Sequence, residues 1–156
     1  MRKTSTAEID GLPTTVGSYL LVFEIDRQIT AHAGRLGPLT FEPGTWLYAG
    51  SAWGPGGVRA RVARHFRSDK KPHWHIDALT LVQPPVAAYV ELQPEFQVDR
   101  TIRLECLWIQ RLLTLPEMRS PHPGFGSSDC TQGCAAHLVY TSDVTLDWAS
   151  ILQEWR

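Results

Sequence analysis

No run in this 156-residue chain is apolar for long enough to cross a bilayer as a helix. The opening Met1-Arg2-Lys3-Thr4-Ser5-Thr6 lacks the apolar core of a signal sequence, so residues 1–14 are expected to be a flexible N-terminus. An excess of either charge is also missing. Fifteen Lys and Arg stand against sixteen Asp and Glu, a formal net charge of −1, which argues against a protein that coats nucleic acid through its overall field. Cysteine is scarce and odd in number. Cys106, Cys130 and Cys134 make no disulfide framework, and they fit a reducing cytoplasm better than secretion. Repeats, low-complexity tracts and domain-boundary signals are absent, so residues 15–156 are expected to fold as one domain with a real core.

What is present is order along the chain. Residues 18–25 are β-rich and end at the turn Asp26-Arg27-Gln28, a second strand is expected at 28–36, and Trp46-Leu47-Tyr48-Ala49 reads as a short third. Together they predict an antiparallel three-stranded meander. The loop Gly54-Pro55-Gly56-Gly57 opens a helix, His73 to Val82 reads as a shorter one, and Val86 to Leu92 as a fourth strand. Residues 99–115 form the clearest helix, with Asp99 as its N-cap. A Pro/Gly/Ser-rich loop fills Pro116 to Gly133, before a last strand at 137–141 and a closing helix from Asp147 to Trp155. The fold class expected is α/β, a small and mainly antiparallel sheet flanked by helices.

Local charge replaces the missing global charge. Six of the fifteen cations (Arg59, Arg61, Arg64, Arg67, Lys70 and Lys71) fall within thirteen residues. Val58, Val62 and Phe66 recur every four residues and face a core, while Arg61, Arg64, His65 and Ser68 share another face of the same helix. Such a helix is either a solvated basic surface or a phosphate-binding one, since guanidinium forks pair with phosphate in a bidentate way.

Two further features stand against the pattern. Glu105 falls on the apolar stripe of the 99–115 helix, formed by Ile102, Cys106, Ile109, Leu112 and Leu113. A carboxylate there is either ion-paired with an Arg or a ligand for a divalent cation in a cleft. Cys130, Cys134 and His137, with His73 and His75 upstream, have zinc-compatible donor types, although the spacing is not a strong zinc pattern. Cys106 itself reads as a buried free thiol. Trp46, Trp108 and Trp148 read as core. Trp53, beside the glycine-rich loop, is either a stacking platform for an unpaired base or a lid on the core.

These residues resemble the GIY-YIG nuclease superfamily, and within it the DUF123-type subgroup. Gly17-Ser18-Tyr19 is similar to the first motif, with Ser for the usual Ile, and Tyr48-Ala49-Gly50 to the second, with Ala for Ile. Arg61 and His65 match the segment carrying an essential Arg with a His one turn later, and Glu105 matches the single metal-binding Glu on a later helix. His73-Trp74-His75-Ile76-Asp77, Gly124-Phe125-Gly126-Ser127-Ser128-Asp129-Cys130 and His137-Leu138 look like subgroup signatures. The chain departs from the pattern in two ways: 28 residues intervene between Tyr19 and Tyr48, implying a longer hairpin or an extra strand, and the Asn that often completes the site has no clear counterpart.

The resemblance implies hydrolysis of a nucleic-acid phosphodiester, DNA before RNA, with one Mg²⁺ or Mn²⁺ on Glu105, in a repair setting. Arg61 would stabilise developing charge, Tyr19 or Tyr48 would orient or deprotonate the water, and His65 would take or relay the proton. Arg59, Arg64, Arg67, Lys70, Lys71, Trp53 and His73 are the expected nucleic-acid contacts. Two other classes fit the same residues: a noncatalytic nucleic-acid-binding module of the same fold, and a zinc-stabilised interaction domain.

Overall fold

The strand from Gly17 to Ile25 is buried on both faces, and that fact organises the molecule. The computed structural model describes residues 1–93 and 103–153. Its elements, in order, are β1 (Arg2–Thr4), β2 (Gly17–Ile25), β3 (Ile29–His32), β4 (Pro38–Phe41), β5 (Gly44–Ala52), α1 (Gly57–Phe66), α2 (His75–Thr80), β6 (Ala87–Leu92), α3 (Leu104–Leu112), β7 (Leu138–Thr141) and α4 (Trp148–Gln153), with two short 3₁₀ turns. Five strands form one sheet in the order β1-β6-β2-β5-β7, with every pairing antiparallel. Strand alternation sends Tyr19, Leu21 and Phe23 to a core under α1 and α2, and Leu20 and Val22 to a second core under α3 and α4. The result is a three-layer α/β domain, with a continuous apolar run in the central strand as expected for burial on both sides. Among the described residues no helix is long and apolar enough to cross a membrane.

Two expectations are corrected. The meander is not formed: β2 pairs directly with β5, from Gly17↔Ala52 to Ile25↔Gly44. The intervening chain instead folds back on itself as a β3–β4 hairpin in a separate two-stranded sheet. The proposed strand at 28–36 ends early because Gly34–Leu36 turns, and Gly37 takes a positive φ of 74° that reverses the chain. The N-terminal segment is not a loose tail either. β1 pairs with β6, Ser5 donates its backbone N–H to the Glu8 carboxylate in the manner of a capping box, and Ile9 and Leu12 are buried in the first core.

The other boundaries lie close to the sequence reading. α4 begins one residue after Asp147, whose carboxylate accepts from the Ser150 backbone N–H at 3.2 Å and from its hydroxyl at 2.6 Å. Asp99 and Ile102, the expected N-cap and first stripe position of the long helix, lie outside the described residues, as does Trp155. Trp46 and Trp108 are buried and Trp148 packs against the second core.

Candidate active site and metal centre

A short edge strand makes the cleft. β7 pairs with β5 only from Thr45 to Tyr48, and one more bond, from the Ala49 N–H to the His137 carbonyl, ends the contact. Gly50 to Ala52 of β5 therefore have no β7 residue beside them, and side chains from both faces of the sheet converge on the gap. They line a cavity of about 350 Å³: Tyr19, Tyr48, Gly50, Ser51, Arg61, His73, Trp74, His75, Arg103, Glu105, Cys106, Gly126, Ser128, Asp129, Cys130 and His137.

Two glycines admit the tyrosines. Tyr19 lies directly across from Gly50, and a Cβ on Gly50 would stand 2.5 Å from the Tyr19 hydroxyl. A Cβ on Gly126, which already needs φ +71°, would stand 2.6 Å from the Tyr48 ring. The Tyr19 hydroxyl is 2.8 Å from His65 Nε2. His65 does not share the solvent-facing side of α1 with Arg61 and Arg64, as the spacing suggested. It points inward and is buried, because Tyr19, Tyr48 and Trp74 surround it. Burial, with Lys70 next, pushes its pKa down to about 3, so the ring is neutral at ordinary pH. Its Nδ1 is buried without a hydrogen-bond partner. Burial raises both tyrosine hydroxyls above their ordinary value, Tyr48 adding to the rise at Tyr19 and Arg61 opposing it at both. Burial thus favours the neutral phenol at both positions.

The six clustered cations divide sharply. Arg61 lines the cavity, stacks on Trp74 with its guanidinium carbon 4.1 Å from the ring centre, and makes no ion pair among the described residues. Arg64 also stacks on Trp74, at 4.4 Å, but its fork is taken: it donates to both oxygens of Asp77 at 2.7 and 2.9 Å. Asp77, fully buried, also accepts from the backbone N–H groups of His73 and Trp74. Burial alone would raise its pKa; the Arg64 and backbone bonds outweigh that and hold it at about 2. Lys70 closes the end of α1 by donating to the Arg64 and His65 carbonyls at 2.9 and 3.1 Å. Arg67 pairs with Asp69 in solvent. Arg64 and Lys70, expected as nucleic-acid contacts, are each held by acceptors of this chain. Arg59 and Lys71 are exposed outside the cavity lining, Trp53 is half-buried outside it, and His73 stands at its mouth.

Glu105 is where its misplaced charge implied. It is 2 % exposed, accepts a hydrogen bond from Ser18 Oγ at 3.1 Å, and has Arg103 Nη1 3.7 Å away. The ion pair of the first sequence alternative is present, and the carboxylate also faces a polar cavity. A lone buried carboxylate on a wet wall is a hard-oxygen anchor of the kind Mg²⁺ or Mn²⁺ takes while keeping its other positions for water and phosphate.

Immediately after it lies a different donor set. Cys106, Cys130, Cys134 and His137 place one ligand atom each within 4.8 Å of all the others, a cluster able to hold a metal ion. Cys106 Sγ is 3.7 Å from Cys130 Sγ and 3.6 Å from His137 Nε2. Cys106 is therefore not the isolated buried thiol of the sequence reading, and His73 and His75 are not in the cluster. Burial and then the neighbouring cysteines push the Cys106 thiol up, while burial pushes His137 down. The sequence reading gave no role to Ser18, Trp74, Arg103 or Asp129. Ser18, Trp74 and Asp129 stand inside the quoted motifs, whereas Arg103 carried no signal.

The family model described as "Domain of unknown function DUF123" matches residues 18–154. No curated protein and no solved structure matches the chain.

Proposed function

The chain belongs to the DUF123 family, whose description leaves its activity open, and we propose that this protein is a divalent-metal-dependent endonuclease of the GIY-YIG type acting on DNA phosphodiester bonds. One observation supports the reading above the rest. Tyr19, an Arg61 with no ion-pair partner among the described residues and a buried Glu105 line a single polar cavity, and His65 stands behind Tyr19 with Nε2 2.8 Å from its hydroxyl.

Each group then has a task. Glu105, held by Ser18, would hold Mg²⁺ or Mn²⁺, which would supply charge neutralisation at the phosphate. Arg61 meets the charge that develops on the phosphoryl group; stacking on Trp74 fixes its plane, so little reorganisation is needed. Tyr19 donates its hydroxyl hydrogen to His65 Nε2, in the tautomer with hydrogen on Nδ1, and accepts a hydrogen bond from the attacking water. The phosphate gains one P–O bond to that water, whose proton leaves to solvent, and loses the bond to the leaving sugar oxygen, which takes a proton from solvent. Tyr19 thus orients the water, with His65 fixing its hydroxyl, which suits a phenol whose pKa is raised. Tyr48 and His73 shape the mouth. DNA repair is the setting the resemblance suggests.

The test is cleavage of labelled single-stranded, duplex, branched and abasic DNA, with RNA beside them, in Mg²⁺ or Mn²⁺. Metal-dependent cutting that disappears in both Arg61→Ala and Glu105→Ala supports the proposal. Cutting that survives both variants sinks it. Binding without cutting on any substrate would replace it with the noncatalytic module.

A further inference from the structure

The structure assigns a second metal centre to this chain: Cys106, Cys130, Cys134 and His137 form a closed tetrahedral site for Zn²⁺, whose work is to clamp α3 to the long loop that walls the cleft. The inference stands independently of the nuclease reading.

Geometry carries it. For bonds of about 2.3 Å to sulfur and about 2.0–2.1 Å to nitrogen, the edges of a tetrahedral coordination sphere measure about 3.5–3.8 Å. Two edges here, 3.7 Å between the Cys106 and Cys130 sulfurs and 3.6 Å from Cys106 Sγ to His137 Nε2, fall on that scale, and all four donors lie within 4.8 Å of one another. A disulfide would need the sulfurs at about 2.05 Å, and all three cysteines are free. Three sulfurs and one imidazole suit zinc over Mg²⁺ or Ca²⁺, which prefer oxygen, and four protein ligands leave no open position. The Gln132 backbone N–H already points at Cys130 Sγ, at 3.4 Å, as a donor to a metal-bound thiolate does.

The surroundings give the ion something to do. Between α3 and β7 the chain runs for 25 residues without a helix or strand, long for a compact domain. That segment sets Gly126 against Tyr48 and donates the Gly126 N–H to His75 Nδ1 at 3.1 Å. Cys130, Cys134 and His137 belong to it, whereas Cys106 belongs to α3, next to Glu105. One ion would bind the wall to the helix that carries the carboxylate.

The experiment uses the full chain, untagged, purified from zinc-supplemented cells. Elemental analysis is expected to give one zinc per chain. Cobalt(II) added after zinc removal is expected to give tetrahedral d–d bands with strong thiolate-to-cobalt charge transfer. Cys134→Ser should lose stoichiometric metal, and Glu105→Gln should retain it. Zinc-free protein with no charge-transfer band overturns the proposal. So does a native chain lighter by two hydrogens, which would mark a disulfide. Because the cobalt spectrum is read on the wild type, a cysteine variant that fails to fold does not decide the matter. Loss of cleavage in Glu105→Gln with zinc retained separates the failure of one reading from that of the other.

Discussion

Two adjacent residues on α3 sit at opposite ends of metal chemistry. Glu105 offers a hard oxygen to a polar cavity, its partners among the described residues being a serine hydroxyl at 3.1 Å and a guanidinium at 3.7 Å. Cys106 offers a soft sulfur to a packed cluster in which the other three donors belong to a single stretch of chain. The first arrangement leaves room for exchange, and the second leaves none. A single step along the helix thereby separates the proposed substrate site from the proposed zinc clamp. The same division runs along α1. Arg61 is open to the cleft and Arg64 is spent on Asp77, three residues further on.

The comparison can be broken experimentally, and the largest expected effect falls on its open side. Arg61→Ala should lower cleavage about 10²–10³-fold, or ~3–4 kcal/mol of transition-state stabilisation, with the melting temperature nearly unchanged. An equal loss in both readouts would mean that Arg61 is a structural residue. On the closed side, Arg64→Ala should behave in reverse. It leaves the buried Asp77 carboxylate with Lys70 Nζ at 3.9 Å and two backbone N–H donors, and should cost about 3 kcal/mol in denaturant unfolding, the low end for a broken buried pair because Arg64 is partly exposed and Lys70 remains. Unchanged stability together with weakened DNA binding would return Arg64 to the surface-contact role first expected of it.

A smaller effect concerns His65, which belongs to neither side fully. Its folded pKa, about 3, lies below its ordinary value of 6.5. The unfolded chain therefore binds the extra proton first, and stability should fall as pH drops from about 6.5 towards 3. The slope is at most about 1.4 kcal/mol per pH unit. Denaturant titrations at stepped pH should show this slope in the wild type, and His65→Asn should flatten it. Asp77 acts lower down: its contribution is present above about 3.8 and is lost as pH falls through about 2. The smallest effect should come from Lys70→Ala, which removes two bonds to the last carbonyls of α1. It should cost about 1–2 kcal/mol and leave DNA affinity within twofold. A large affinity loss would show that the lysine leaves its cap to meet phosphate.

What was legible in the sequence depended on whether a signal was local. The central strand, the helices and the anomaly of Glu105 followed from periodicity, which neighbours along the chain create. His65 was placed on the wrong side of α1 because i,i+4 spacing says which residues share a face, not which face a tyrosine of a distant strand will claim. Cys106 was read alone because 24 residues separate it from Cys130, and no ligand-spacing pattern spans a helix and an irregular loop. The fate of Arg64 depended on Asp77, thirteen residues away in a different helix. The hairpin that replaced the expected meander was hidden for a different reason. Short strands separated by Gly and Pro read the same whether they join the main sheet or pair apart from it.

That hairpin has a consequence for how such a chain can change over generations. β3 and β4 leave and re-enter the sheet between Ile25 and Gly44, which are themselves paired, so the excursion begins and ends at one point. Tyr19 and Tyr48 keep their positions through the β2–β5 register alone, whatever number of residues lies between them. Loop-closure entropy grows only slowly with length, by about 0.6 kcal/mol for each doubling. Insertions and deletions can therefore accumulate at this junction while the two tyrosines stay in register, and the spacing between two motifs becomes a record of history with no bearing on the geometry of the cleft.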